Sequence, residues 1–155
     1  TYDNLIVLRS MTKMYALAGV RLGYIISQQA VKFVQSFPHW NVSEIAIQLG
    51  CACIASHNFV ERSRKNSDDM RESMKAFLMA HHCRVSNSAA NFLLFSLPEH
   101  IDADCFFMAM LKQGIVLRHT KNYVGLEGQW FRIGMKQTDA MNQFKRAFTE
   151  YVQNH

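Results

Sequence analysis

Proline and glycine are scarce, 2 and 7 of 155 residues. Linkers, collagen-like repeats and low-complexity segments need far more of both, and the sequence excludes them. No apolar run approaches the ~20 residues of a membrane span. No C-x-x-C pair occurs. Cys51, Cys53, Cys83 and Cys105 lack zinc-ligand spacing, and His81-His82-Cys83 has no matching second pair. No metal site is expected, and the cysteines read as buried, reduced thiols of a cytoplasmic protein. The polar opening Thr1-Tyr2-Asp3-Asn4 does not have the pattern of a signal peptide.

What is present suits a folded domain. Hydrophobic residues make up 49% and charged residues 19%, which excludes disorder. The length allows one sizeable core. Lys and Arg number 17 against 12 Asp and Glu, leaving +5. The excess is scattered. Its densest cluster, Arg62-Ser63-Arg64-Lys65, is followed at once by Asp68, Asp69 and Glu72. That reads as a mixed, solvated helix face rather than a stripe tracking phosphates. A nucleic-acid partner would rest on the net charge alone and is not expected. A small anionic ligand is another outlet for the excess.

Hydrophobic periodicity orders the chain as β-β-α-α-α-β-β-α-β-β-α. Leu5–Leu8 reads as a buried strand, 9–19 as irregular, and Val20–Ile26 as a second strand. A short helix over 28–36 stops near Pro38. Asn41, with Glu44 three residues on, predicts the cap of a helix running to about Ser56. Met70, Met74, Phe77 and Leu78 share one face of a long helix over 58–82. Strands are predicted over 84–86, 92–97, 115–118 and 130–134. Ala103, Phe106, Phe107, Met110 and Leu111 form a helical stripe, with Gly114 where a C′ glycine belongs. A terminal helix carries Met141, Phe144, Phe148, Tyr151 and Val152. Residues 1–40 resemble the tail of a larger sheet, since two strands make no stable sheet alone. Residues beyond about 83 predict a compact α+β unit.

Residues 10–24 carry the chemistry. Ser10 and Thr12 flank Lys13, and Arg21 follows between Gly19 and Gly23. A lysine desolvated in a loop after a buried strand loses basicity and becomes a nucleophile. Two hydroxyls and a guanidinium hold a phosphate through charge-assisted hydrogen bonds. An aldehyde cofactor that carries a phosphate needs both, which describes pyridoxal phosphate. The plain alternative is a solvated loop lysine.

The stretch resembles the Schiff-base lysine motif of the fold-type I pyridoxal-phosphate enzymes, S-x-S/T-K followed by L-x-G-x-R-x-G-Y. Ser10, Thr12, Lys13, Leu17, Gly19, Arg21, Gly23 and Tyr24 match it. The rest is similar to the C-terminal half of the branch holding histidinol-phosphate aminotransferases and threonine-phosphate decarboxylases. The resemblance implies an α/β class with an α+β small domain, the C-terminal part of an aspartate-aminotransferase-like fold. Residues 1–57 would end the large cofactor-binding domain and its connecting helix, and 58–155 would form the small domain. Lys13 would be the catalytic Schiff-base lysine. Ser10, Thr12 and Arg21 would hold the pyridoxal 5′-phosphate. Arg118 and Arg132 would grip the substrate, with Arg132 on its carboxylate. The partner would be a small phosphorylated amino acid, and the complete protein a cytoplasmic homodimer.

Within the branch, the Asn122-Tyr123-Val124-Gly125-Leu126 segment looks like the decarboxylase of the cobalamin pathway. Val7 to Lys13 and Pro38-His39-Trp40-Asn41-Val42 lean the same way. A lyase is therefore the main expectation, an aminotransferase of the histidinol-phosphate kind the alternative, and a non-catalytic interaction domain the second alternative. Family members carry further cofactor-site residues upstream that have no candidate in this chain. The chain is thus expected to be the C-terminal piece of a protein roughly twice as long and inactive alone.

Overall fold

The computed structural model describes residues 2–39, 41–126 and 129–155. Trp40, one of the residues used above, lies outside them. The chain divides into two compact units, Thr1–Ser63 and Arg64–His155.

In the first unit, β1 (Val7–Ser10) pairs antiparallel with β2 (Gly23–Ile26). Between them lie a one-turn helix, α1 (Met11–Met14), and a 3-10 turn over Ala18–Val20. Helices α2 (Ala30–Val34) and α3 (Glu44–Ala55) follow. Three expectations are corrected here. The first strand is shifted to Val7–Ser10 and is exposed along its length, not buried. A two-stranded ribbon has two faces, and the short helices of this unit leave Leu5, Ile6 and Leu8 uncovered. Residues 9–19 are not wholly irregular, because Ser10 caps α1 by accepting from the Thr12 N–H at 3.3 Å. Finally, Ser43, not Asn41, caps α3, with its hydroxyl 3.2 Å from the Ala46 N–H. Glu44 then sits in the first turn, where the helix dipole favours an acid.

α3 is apolar nearly all round, a pattern of helices enclosed on every side. Only Ala46 and Gly50 are buried, while Ile45, Ile47, Leu49 and Ile54 remain exposed. Gly50 lets α3 approach closely. A Cβ there would stand 2.6 Å from Leu22 Cδ2 and 3.6 Å from the buried Met11 sulfur.

The division between units falls inside α4 (His57–Ala80). The second unit continues with β3 (Arg84–Val85), β4 (Phe92–Ser96), α5 (Ala103–Lys112), β5 (Arg118–His119), β6 (Trp130–Gly134) and α6 (Thr138–Gln153). The four strands form an antiparallel sheet in the order β3-β4-β6-β5. Strand alternation sends Leu93, Phe95, Phe131 and Ile133 to one face. There they meet Met74 and Leu78 of α4, Phe106 and Met110 of α5, and Met141, Phe144 and Phe148 of α6. Phe148 touches the rings of Phe77, Phe95, Phe106 and Phe144, mostly edge-on, the arrangement that aromatic quadrupoles favour. Each fully buried Phe contributes about 1.5–3 kcal/mol.

α5 ends in a Schellman motif. Gly114 has φ +74°, its N–H reaches Leu111 O at 2.9 Å, and the Ile115 N–H reaches Met110 O at 2.9 Å. The strand expected over 115–118 pairs with β6 only at Arg118 and His119. The Ile115 N–H is spent on closing the helix. Arg71, almost fully buried on α4, pins the loop before β4 by donating to Ala90 O at 3.2 Å, and it pairs with Asp68 at 2.8 Å.

Candidate active site

Two clusters hold the residues singled out above, one in each unit. In the first, antiparallel register sets Ser10 opposite Gly23, and the Met11 N–H donates to Leu22 O at 3.2 Å. The segments carrying Thr12 and Arg21 therefore leave the ribbon at the same end. The Ser10 and Thr12 hydroxyls lie 2.8 Å apart. Lys13 sits on α1 and is exposed, not desolvated in a loop. Buried Met11 and the Tyr15 ring, stacked on Phe59 at 5.9 Å, anchor the turn.

Arg21 adopts a left-handed backbone with φ +55°, and Ala16 does so with φ +54°. Non-glycine residues avoid this region, and such strain collects at functional sites. The Arg21 guanidinium turns back to donate to Ala18 O at 3.1 Å, and among the described residues most of its five N–H donors have no other acceptor. No acidic residue occurs between Asp3 and Glu44, whereas Arg9, Lys13, Arg21 and Lys32 do. Two hydroxyls, an ammonium and a guanidinium form a donor set that fits a phosphate. Gly23 permits the tight ribbon, since a Cβ there would stand 2.9 Å from Arg9 O.

The second cluster lies on the outer face of the four-stranded sheet, away from its core. Arg118 and Arg132 are direct cross-strand partners. Both are exposed, and neither has a carboxylate partner among the described residues. Each is held by uncharged groups. The Arg132 guanidinium lies 5.1 Å from the Phe92 ring centroid. That of Arg118 lies 5.9 Å from the Tyr123 centroid and donates to Asn122 Oδ1 at 3.4 Å. On the same face, Arg84 reaches Ser96 Oγ at 3.4 Å and lies 5.7 Å from the Trp130 ring. Sequence reasoning passed over Phe92 and Arg84. Their signal was strand parity, which puts Phe92 and Arg132 on one face once the β4–β6 register is known.

The sequence matches the family Aminotransferase class I and II over residues 1–146. The chain belongs to that family. Its fold is the C-terminal part of the aspartate-aminotransferase-like architecture, and the family is one of pyridoxal-phosphate enzymes. The histidinol-phosphate aminotransferase of Methanococcus aeolicus is 26% identical over 157 aligned positions, covering 97% of this chain and 42% of that protein. A crystal structure of the histidinol-phosphate aminotransferase from Clostridium acetobutylicum aligns with TM-score 0.86 at 29% identity, over 99% of this chain and 47% of that one. The L-threonine-O-3-phosphate decarboxylase from Porphyromonas gingivalis aligns with TM-score 0.69 at 23% identity, over 97% and 47%. That likeness is one of fold. The chain spans less than half the length of these class I and II relatives. Among the described residues no helix is long and apolar enough to cross a membrane, and no group of three or more His, Cys, Asp or Glu could hold a metal.

Proposed function

We propose that the protein carrying this chain is a pyridoxal-phosphate enzyme acting on a small phosphorylated amino acid. The observation that carries the reading is the Arg118–Arg132 pair. Like charges directly opposite on neighbouring strands are destabilising. Among the described residues they stand without a carboxylate, each on its own uncharged support. A ligand with two anionic groups relieves that repulsion. Arg132 takes the carboxylate in a planar two-pronged grip, and Arg118 takes the phosphate.

Ser10, Thr12 and Arg21 hold the cofactor phosphate, which suits their exposed donors. When bound, the cofactor supplies an electron sink for the pair left on the substrate Cα. Lys13 Nζ carries the cofactor between turnovers and moves the proton at Cα. Residues 1–57 complete a larger cofactor-binding domain, and 58–155 form the small domain that carries the arginines. The complete protein is a cytoplasmic homodimer.

Two reactions share these residues and differ at one bond. Loss of the carboxylate makes the protein a lyase, in cobalamin biosynthesis. It is supported by the Asn122-Tyr123-Val124-Gly125-Leu126 segment beside Arg118. Lys13 Nζ then returns a proton to Cα. Loss of the Cα proton to Lys13 makes it an aminotransferase, supported by the names of the compared relatives. The test supplies the complete protein with O-phosphothreonine, or with histidinol phosphate, which has no carboxylate, and 2-oxoglutarate, whose carboxylate Arg132 would take instead. Released CO₂ marks the lyase. Glutamate without CO₂ marks the aminotransferase. Neither product with either substrate overturns the substrate class. Lys13→Ala is expected to abolish whichever product forms.

A further inference from the structure

The two arginines are supported differently. Arg132 stands in the middle of β6, flanked by β4 and β5, and its guanidinium rests on Phe92 of the adjacent strand. Arg118 stands on the two-residue edge strand β5, and the groups that hold it come from the loop that follows. That loop is tightly fastened at its root. Thr120 is fully buried, and its hydroxyl lies 2.6 Å from Leu126 O and 3.0 Å from Trp130 O. The Tyr123 N–H returns to Thr120 O at 2.7 Å, Leu126 N–H reaches Tyr123 O at 3.1 Å, and Lys121 pairs with Asp104 of α5. Asn122 and Tyr123 are thus presented from a closed turn, one offering an acceptor and the other a ring face. An exposed arginine has many rotamers, and holding it before a ligand arrives lowers the cost of binding.

We propose that Asn122 and Tyr123 are positioning residues for Arg118, so that the loop over 120–126 sets where that guanidinium stands relative to Arg132 and with it the span of the anion accepted. The inference rests on the functional reading above, in which Arg118 meets the phosphate. Asn122 is suited to the task because a neutral acceptor orients a guanidinium without neutralising it. An aspartate there would compete with the ligand.

The test uses the complete, cofactor-loaded protein and inorganic phosphate as the probe. Arg118 is exposed, so phenylglyoxal labels it, and mass spectrometry reads how much phosphate protects it. In the Asn122→Ala, Tyr123→Leu double variant, the phosphate concentration for half-protection is expected to rise about tenfold, from losing one charge-assisted contact and one exposed cation–π contact. Tyr123→Phe retains the ring and is expected to behave as the unsubstituted protein. KM for the phosphorylated substrate rises in the double variant while kcat changes little, and the unfolding midpoint stays in place. Unchanged half-protection and KM in the double variant, with the unsubstituted protein protected and active, overturn the inference and leave the functional reading intact. If phosphate fails to protect Arg118 even in the unsubstituted protein, both fall.

Discussion

Thr120→Val tests the root of the loop beside Arg118. The two side chains have nearly the same shape, so the substitution removes a hydroxyl and leaves no hole. In the structure that hydroxyl lies 2.6 Å from Leu126 O and 3.0 Å from Trp130 O at a fully buried position. The Trp130 carbonyl keeps the Thr120 N–H at 3.3 Å. The half-buried Leu126 carbonyl loses the hydroxyl, and no other donor reaches it among the described residues. Losing that bond at a buried hydroxyl position costs about 1–3 kcal/mol. At this chain length each kcal/mol lowers the unfolding midpoint by about 2–4 °C. Thr120→Ser keeps the donor and deletes one methyl group, a loss of about 1 kcal/mol. The expected order is therefore Thr above Ser above Val. Thermal and urea unfolding followed by circular dichroism measures it. A valine variant as stable as the original, or more stable than the serine variant, would refute the hydrogen-bonding account.

Gly23→Ala presses a methyl group against Arg9 O, a backbone atom that cannot rotate away, and is expected to cost about 1–3 kcal/mol and to displace Ser10. Gly19, with nothing within 4 Å of an added Cβ, is the control, and equal stability of the two alanine variants would contradict the packing argument. Burial pushes the Cys83 thiol up to about 12. Stability from its neutral form is complete below the ordinary thiol value of ~8.5 and is lost as pH rises towards 12, so Cys83→Ala should flatten the alkaline limb of a pH–stability curve. Of the four cysteines expected to be buried, only Cys83 is, so in the folded chain a thiol reagent at neutral pH should label exposed Cys51 and Cys105 before Cys83, and equal labelling would show that Cys83 is open to solvent. The Cys105 N–H holds Asp102 below the usual carboxylate range. Its contribution is present above the ordinary value of ~3.9 and fades as pH falls through the lower folded value. Asp102→Asn should remove that acid-side slope, which unfolding midpoints taken across the acid range would report.

Periodicity carried most of the element order. Trp130–Gly134 has the predicted bounds because its alternation is strict, with Phe131 and Ile133 in and Arg132 out. α1 escaped notice because a single turn is shorter than one hydrophobic repeat. The α3 cap was misplaced because Asn41 and Ser43 are both good caps, and only backbone geometry chooses between them. For the candidate site, residue types were legible and partnerships were not. Ser10, Thr12, Lys13 and Arg21 lie close in sequence. The pairing of Arg118 with Arg132 depends on a register fixed across 13 residues of intervening chain, and the support under Arg132 comes from a strand 40 residues away. A lysine after a strand can be desolvated or solvated, and the residue types alone do not choose; here Lys13 is exposed.

The helix-ending turn at Gly114 has a bearing on how this family can vary in length. It fixes the point from which the chain sets out toward β5, and from there Val116, Leu117, Arg118 and His119 alternate between the outer and inner faces. Parity is therefore conserved between Gly114 and Arg118. Inserting or deleting one residue there would turn the guanidinium into the apolar interior and bring Leu117 out, whereas a change of two would restore the facing at the expense of reach. The turn after Thr120 is under no such odd–even constraint, because it begins beyond the arginine and ends before its partner. Natural length variation is thus expected in the turn and not in the four-residue lead-in, so evolution could retune the ligand span without ever reversing the strand.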